Sequence, residues 1–230
     1  MHESDTTGIV VPTQATRMRR RPVVPRRSEG VFEQLKQSLL SARIKPGERL
    51  YESGIAEQFG ASRTPVREAL MRLQEERLLE RDGRAYVVRQ MSYDDLLQLY
   101  EARECLECQT CIKAIAYLQQ EDIERLQERI DHMAKMIRRR NVDEFNRLDS
   151  EFHLDIARIS RNQVLYEMLT GVHERVTMIR NLFARNLPRL ISANEEHQRI
   201  LDAMARRNPE IAVAEMRAHL VTTHLASAFA

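Results

Sequence analysis

Apolar residues recur along this 230-residue chain with the period of helices, interrupted once by an alternating stretch. Val31, Leu35, Leu39 and Leu40 line one side of a predicted helix over 29–43. Lys45-Pro46-Gly47 ends it, because proline removes a backbone donor and glycine permits the turn. Arg49-Leu50-Tyr51 suits a short strand, and a second helix from Ser53 to Phe59 stops at Gly60. Ser62-Arg63-Thr64-Pro65 restarts the chain, with a hydroxyl at the N-cap and proline early in a helix that runs through Val66, Ala69, Leu70 and Leu73 to Leu79. Over 80–89, with Asp82-Gly83 at the turn and Tyr86, Val87 and Val88 after it, the pattern predicts a β-hairpin. Helix, helix, short turn, helix, hairpin is the order of a winged helix-turn-helix.

From Ser92 onward the period is helical to the end, and six helices are predicted. The first opens at Ser92-Tyr93-Asp94-Asp95 and runs to Leu118; the next three cover 121–140, 142–159 and 163–184. Asn186-Leu187-Pro188 reads as a break, after which the capping box Ser192-Ala193-Asn194-Glu195 opens the fifth helix. Asn208-Pro209 opens the last, with asparagine as cap and proline in the first turn. The expected fold is therefore mainly α: a winged helix-turn-helix of three helices and a hairpin wing at 29–90, then an all-α antiparallel bundle at 91–230. Residues 1–28 have no hydrophobic period and are expected to form a flexible basic tail.

Charge sharpens this division. The net charge is +2, but residues 1–90 hold 17 Lys+Arg against 12 Asp+Glu, and the remainder 19 against 22. A basic front and a mildly acidic rear suit a chain whose front meets nucleic acid. Six tail arginines (Arg17, Arg19, Arg20, Arg21, Arg26 and Arg27) would serve either as an arm adding phosphate contacts or as a solvated tail. With no apolar run of membrane-spanning length and no signal-peptide core, a soluble cytoplasmic protein with no membrane partner is expected. Cys105, Cys108 and Cys111 have a spacing able to ligate metals or clusters, yet no fourth cysteine exists and a helix would spread them over more than one face. They are expected to be free reduced thiols.

The DNA-reading residues follow from the predicted turn. In a helix-turn-helix the N-terminal end of the second helix of the motif faces base edges in the major groove. Here that end offers Ser62, Arg63, Thr64 and Arg67, with the two arginines four apart on one face. An arginine fork can pair bidentately with guanine, and threonine can offer its hydroxyl to a phosphate or its methyl to thymine. The wing offers Arg81, Gly83 and Arg84, where glycine permits close approach and the arginines suit phosphate or the minor groove.

The bundle presents a different chemistry. Asp149 and His153 lie four apart on an apolar stripe with Phe145, Leu148, Phe152 and Ile156; His197 shares a face with Ile200, Leu201 and Met204, and His219 with Met216 and Leu220. Polar groups on inward faces need each other, a ligand or water. One metal ion satisfies all four, and the set suits Zn²⁺, Ni²⁺, Mn²⁺ or Fe²⁺, with zinc the expected occupant of the isolated protein. An octahedral ion held by four protein ligands keeps open positions for water or a bidentate organic acid. His132, His173 and His224 do not fit this set. On the first helix of the bundle, Arg103 and Glu107 interrupt a stripe of Leu96, Tyr100, Ala114 and Leu118. They would either pair within the helix or act together, Arg103 facing a carboxylate effector and Glu107 orienting it. Tyr100 and Arg180 are further candidates for lining such a pocket.

Lys45-Pro46-Gly47-Glu48-Arg49-Leu50, Ile55-Ala56-Glu57-Gln58-Phe59-Gly60 and, most specifically, Ser62-Arg63-Thr64-Pro65-Val66-Arg67-Glu68-Ala69-Leu70 resemble the N-terminal domain of the GntR family. The C-terminal part resembles the FCD domain of its FadR-type branch. There the order Asp149, His153, His197, His219 matches the metal-binding version. The resemblance implies a homodimer on a short palindromic operator, Arg63, Thr64 and Arg67 at bases and phosphates, Gly83 in the wing, and a small organic acid as effector. Gly54 and Arg77 depart from it, standing where an acidic residue and a glycine are usual. The expected function is a ligand-responsive regulator, with repression relieved by ligand as the expected mode. The alternatives are the metal itself as the signal, a metal-dependent enzyme using the Asp/His site for hydrolysis or oxygenation, and a structural DNA-coating protein.

Overall fold

A computed structural model of the chain describes residues 27–183 and 186–228, the side chains of 27, 28, 182, 183 and 224–228 apart. Most of the expected tail, with its arginines up to Arg26, lies outside the described residues. The winged domain has helices α1 (Arg27–Leu40), α2 (Glu52–Gln58) and α3 (Arg63–Glu75), with strands β1 (Arg49–Leu50), β2 (Leu79–Asp82) and β3 (Ala85–Val88). The strands form an antiparallel sheet in the order β1-β3-β2. Asp82 pairs with Ala85, so the wing turns on Gly83 and Arg84, and Gly83 takes the positive φ of +57° that this turn requires. Phe32, Leu35 and Leu39 of α1 pack with Val66, Leu70 and Leu73 of α3 and with Leu79 and Tyr86 of the hairpin.

The bundle comprises α4 (Tyr93–Tyr117), α5 (Gln120–Arg138), α6 (Val142–Ile159), α7 (Gln163–Phe183), α8 (Leu187–Ala205) and α9 (Pro209–Ala228). Ser92 opens α4 as a reciprocal capping box with Asp95, and Asn208 Oδ1 accepts from the Ile211 amide at the start of α9 at 3.0 Å. Two expectations fail. Helix α3 stops at Glu75 rather than running to Leu79, because Arg77 takes a left-handed φ of +60° and Leu79 pairs with Val88 in the sheet. Helix α8 starts at Leu187, so Ser192 lies inside it and its hydroxyl donates back to Pro188 O at 3.2 Å. Proline in a first turn lacks only an amide that has no helical partner there, so Pro188 begins this helix rather than breaking it.

Helix α4 packs against α6, α7 and α9, while α5 packs against α6 and α8. The main core lies between these layers, built on Ile115, Leu126, Phe145, Phe152, Ile200 and Met216. Arg207 ties the ends together, donating to Ile115 O at 2.6 Å and Leu118 O at 2.8 Å and so serving orphan carbonyls at the end of α4. Among the described residues no helix is long and apolar enough to cross a membrane.

Helix α7 joins the two domains. Its Met178 completes the core of the winged domain, and its Glu174 holds Lys36 of α1 at 2.7 Å. Asn181 Nδ2 donates to Leu40 O, the last carbonyl of α1, at 2.6 Å, and Asn181 Oδ1 accepts from Asn146 Nδ2 of α6 at 2.8 Å. Replacing Asn181 by leucine strands both partners, and a buried polar group left unpaired costs about 1–3 kcal/mol. Urea unfolding of Asn181→Leu is expected to show a lower midpoint than the parent; an unchanged midpoint would mean that this junction carries no stability.

Candidate metal centre and nucleic-acid interface

Three helices bring four ligand groups together at the centre of the bundle. The α-helical i, i+4 spacing aims Asp149 and His153 of α6 the same way; His197 comes from α8 and His219 from α9. All four side chains are buried, and one ligand atom from each lies within 4.8 Å of all the others. His153 Nε2 and His197 Nε2 face one another at 3.3 Å, and Asp149 Oδ1 is 3.4 Å from His197 Nε2. His219 Nδ1 donates to Glu196 Oε2 at 2.7 Å, which fixes its tautomer and leaves Nε2 with a lone pair, buried and without a partner. A buried lone-pair nitrogen and two facing imidazoles beside a carboxylate are a donor set suited to a divalent transition metal.

Protonation states favour the same use. Burial pushes the His219 imidazole down to about 4 despite its bond to Glu196. Burial and the neighbouring His219 take His197 well below its ordinary value, outweighing the pull of Asp149. Burial would raise the Asp149 carboxyl, but Arg180 of α7, which grips both carboxylate oxygens, holds it well below the usual range. At His197, His219 and Asp149 the centre therefore offers neutral imidazoles and an ionised carboxylate, the forms that bind a metal.

A second buried cluster backs the first. Glu107 of α4 accepts from Arg103 Nε at 2.7 Å and meets His173 Nε2 at 3.1 Å. His153 Nδ1 lies 2.5 Å from Glu107 Oε2, and neither atom has an aligned hydrogen bond. Against burial, Arg103 and His153 hold the Glu107 carboxyl well below its ordinary value. A carboxylate on the far nitrogen of a ligand histidine orients the ring and raises its basicity, and both Glu107 behind His153 and Glu196 behind His219 occupy that place. His173, set aside in the sequence reading, thus belongs to the buried network. Its stripe with Leu169, Val176 and Arg180 on α7 was legible, but no second ligand-type residue accompanied it one turn away. Glu196 was missed because His219, the histidine it holds, comes from another helix 23 residues further on. His132 is exposed, and the His224 side chain lies outside the described residues.

Of the Arg103–Glu107 alternatives, the structure contains the pair within the helix. The intrahelical pair forms through Nε, while Nη1 and Nη2 of Arg103, fully buried, have no partner. The Arg103 guanidinium carbon stands 5.2 Å from the Tyr100 ring centroid, and Tyr100 is also buried. Arg180 is committed to Asp149 rather than open to a pocket. Of the cysteines, Cys105 is exposed, and burial pushes the Cys108 and Cys111 thiols up to about 11 and 12. None of them belongs to a metal-ligating group among the described residues.

At the far end of the molecule, Ser62 is the N-cap of α3 and Arg63, Thr64 and Arg67 follow on its exposed side, while Val66, Ala69 and Leu70 are buried. Gly83 and Arg84 form the exposed wing tip. Arg81 is turned back: its Nε donates to Gly83 O at 3.0 Å and its guanidinium lies over the Tyr86 ring. The wing thus presents Arg84 outward and uses Arg81 to brace its own turn.

A winged helix-turn-helix with an exposed polar reading edge, joined through one helix to an all-α bundle with a buried polar cluster, is the architecture of a DNA-binding regulator. Residues 27–88 match the model for bacterial regulatory proteins of the gntR family, and residues 98–222 match the FCD domain. The chain belongs to the GntR family and is a DNA-binding transcriptional regulator rather than an enzyme. It is 30% identical over 190 residues to the uncharacterized HTH-type transcriptional regulator YdhC of Bacillus subtilis, covering 82% of this chain and 85% of that one. It is 23% identical to the HTH-type transcriptional repressor RspR of Escherichia coli, over 84% and 85% of the two chains. Among solved structures, McbR/YncC of E. coli superposes with a TM-score of 0.78 at 25% identity, covering 85% of this chain and 94% of that one.

The buried histidines set a pH dependence. His173, like His219, sits at about 4, lowered by burial and then by Arg103. Unfolding frees these rings to protonate near pH 6.5, so between pH 6.5 and 4 the unfolded chain binds more protons than the folded one. Stability of the chelator-treated protein is therefore expected to fall as pH drops through that window, by up to about 1.4 kcal/mol per pH unit for each histidine. Urea midpoints at pH 7 and pH 5 check this; equal midpoints would contradict it.

Proposed function

We propose that this regulator is a homodimeric repressor of a palindromic operator, and that a small organic-acid anion bound at a divalent metal site in the bundle relieves it. The observation that carries the reading is the convergence of Asp149, His153, His197 and His219, linked through Glu107 to Arg103, whose Nη atoms have no hydrogen-bond partner. A metal held by those four groups would supply Lewis-acid positions for a chelating carboxylate. Arg103 supplies a buried cation for the anion's charge, with Tyr100 beside it. Glu107 connects the two, because it contacts both Arg103 and His153. Asp149 is the contested group: Arg180 holds it in this structure, and a metal drawing on the same carboxylate would loosen Arg180 and offer it to the effector. Arg180 adjoins Asn181, whose amide holds the end of α1, so a changed α7 reaches the reading edge through the winged domain. The effector acts only so far as it prefers one placement of α7 to the other. That RspR is a repressor supports the sign of regulation.

The Asp149–Arg180 pair also supports a second reading, in which the metal alone is the signal, since its arrival by itself would unseat Arg180. Elemental analysis of protein purified without chelator is expected to find about one transition metal per chain, and His197→Ala is expected to lose it. Metal absent from both proteins would overturn the site. Operator release by metal alone would favour the second reading, and release only with an added carboxylate, abolished in Arg103→Met, the first. At the DNA edge, Arg67→Ala is expected to weaken selective operator binding about 10-fold or more, in keeping with 1–3 kcal/mol per bidentate contact. Equal protection of the operator by variant and parent would remove Arg67 from the reading set.

A further inference from the structure

A second cationic site lies away from the metal centre, at the junction of the two domains. Arg77 follows α3, Arg89 follows β3, and Arg175 projects from α7; together with Asp95, Gln98 and Leu99 they line a cleft of about 190 Å³. The carboxylates nearby do not neutralise all three. Asp95 is spent on the Ser92 cap and on Arg89 Nη2 at 2.8 Å, and Glu80 reaches only Arg89, at 3.5 Å. Glu174, next to Arg175 in sequence, points to Lys36. Arg175 donates through Nε to Gly171 O at 2.9 Å, and among the described residues neither Arg77 nor Arg175 forms an ion pair. The arrangement costs something: Arg175 is held below its ordinary value by burial and by the nearby Arg77 and Arg89. Arg77 also takes a left-handed φ of +60°, which glycine would adopt without penalty.

We propose that this interdomain cleft binds a phosphate group, with the Arg77 and Arg175 guanidiniums as its principal ligands and Arg89 and Gln98 at its side. Guanidinium forks approaching from several directions match a tetrahedral oxyanion, which offers acceptors on every side. The volume suits inorganic phosphate or the phosphoryl end of a small metabolite rather than a larger ligand. An operator phosphate is not the occupant. Helix α3 has 13 residues, so Arg77 lies roughly 20 Å along its axis from Arg63, and Gly83 is at the opposite end of the hairpin from Arg89. Because Arg77 and Arg89 belong to the winged domain and Arg175 to the bundle, a bound phosphate would clamp the domains together. The site is independent of the metal reading.

The test uses the full chain, titrated with inorganic phosphate against chloride at constant ionic strength, with binding read by calorimetry and by thermal unfolding. The parent is expected to bind phosphate in the millimolar range and to unfold at a higher temperature with it. Arg175→Gln and Arg77→Gly are each expected to bind at least 10-fold more weakly; the glycine suits the backbone at 77, so that variant folds. His197→Ala is expected to keep the phosphate response, which separates this site from the metal centre. Tighter binding of glycerol phosphate than of phosphate would assign a phosphorylated metabolite, and equal binding the free ion. No response in the parent, or an equal response in both arginine variants, would overturn the proposal. So would a loss of operator affinity in those variants, without phosphate present, accompanied by a smaller salt slope, since it would make the arginines DNA contacts.

Discussion

The bundle is organised by the need to bury two carboxylates without leaving either charge alone. Asp149 and Glu107 are fully enclosed, and a lone ionised carboxylate in such a place is too costly to persist. Each is met by a buried arginine: Asp149 of α6 by Arg180 of α7, and Glu107 by Arg103 of its own helix α4. The histidines then fill the remaining acceptor capacity, His197 at Asp149 and His153 and His173 at Glu107. These contacts fix how α4, α6, α7 and α8 approach one another more specifically than apolar packing can, because methyl groups slide and charge pairs do not. A cation drawing on Asp149 would have to displace Arg180, which already holds that carboxylate.

Helix α7 carries that consequence outward. One of its faces meets the cluster through His173 and Arg180, with Thr177 beside Ser150 of α6 at 3.0 Å. The other meets the winged domain through Glu174, Met178 and Asn181. Arg180 and Asn181 are consecutive residues, one bound to a candidate ligand and the other to the end of α1. A shift of the helix by a fraction of a turn therefore cannot be confined to one domain. Packed elements of this kind move as units between discrete arrangements, which is what a two-state switch requires.

Sequence patterns revealed the elements and much of the site, because both depend on spacing along single helices. The stripe Phe145-Leu148-Asp149-Phe152-His153 placed two candidate ligands on a buried face, and that of Leu96, Tyr100, Arg103 and Glu107 marked a costly pair; all these residues are buried. Partnerships across helices were less visible. Nothing in the spacing says that Arg180 meets Asp149, that His173 meets Glu107 or that Glu196 meets His219, since each pair depends on the rotation of two helices about their axes. The misplaced start of α8 has a different cause. Ser192 and Glu195 satisfy a local capping rule, but Asn186-Leu187-Pro188 satisfies another, and continuing the apolar face back to Leu190 decides between them.

The thiols show why burial alone does not define a site. Cys108 and Cys111 are buried like the histidines and sit on the same helix as Glu107, yet burial raises their values to about 11 and 12, so they remain protonated. A protonated thiol is neither nucleophile nor metal ligand at neutral pH. Burial lowers the imidazoles instead, and a neutral imidazole is the form that offers a lone pair. The same desolvation therefore silences one set of residues and readies the other. Asp149 stays ionised beside the readied set chiefly because Arg180 stands against it, so a metal drawing on that carboxylate would have to compete with the arginine.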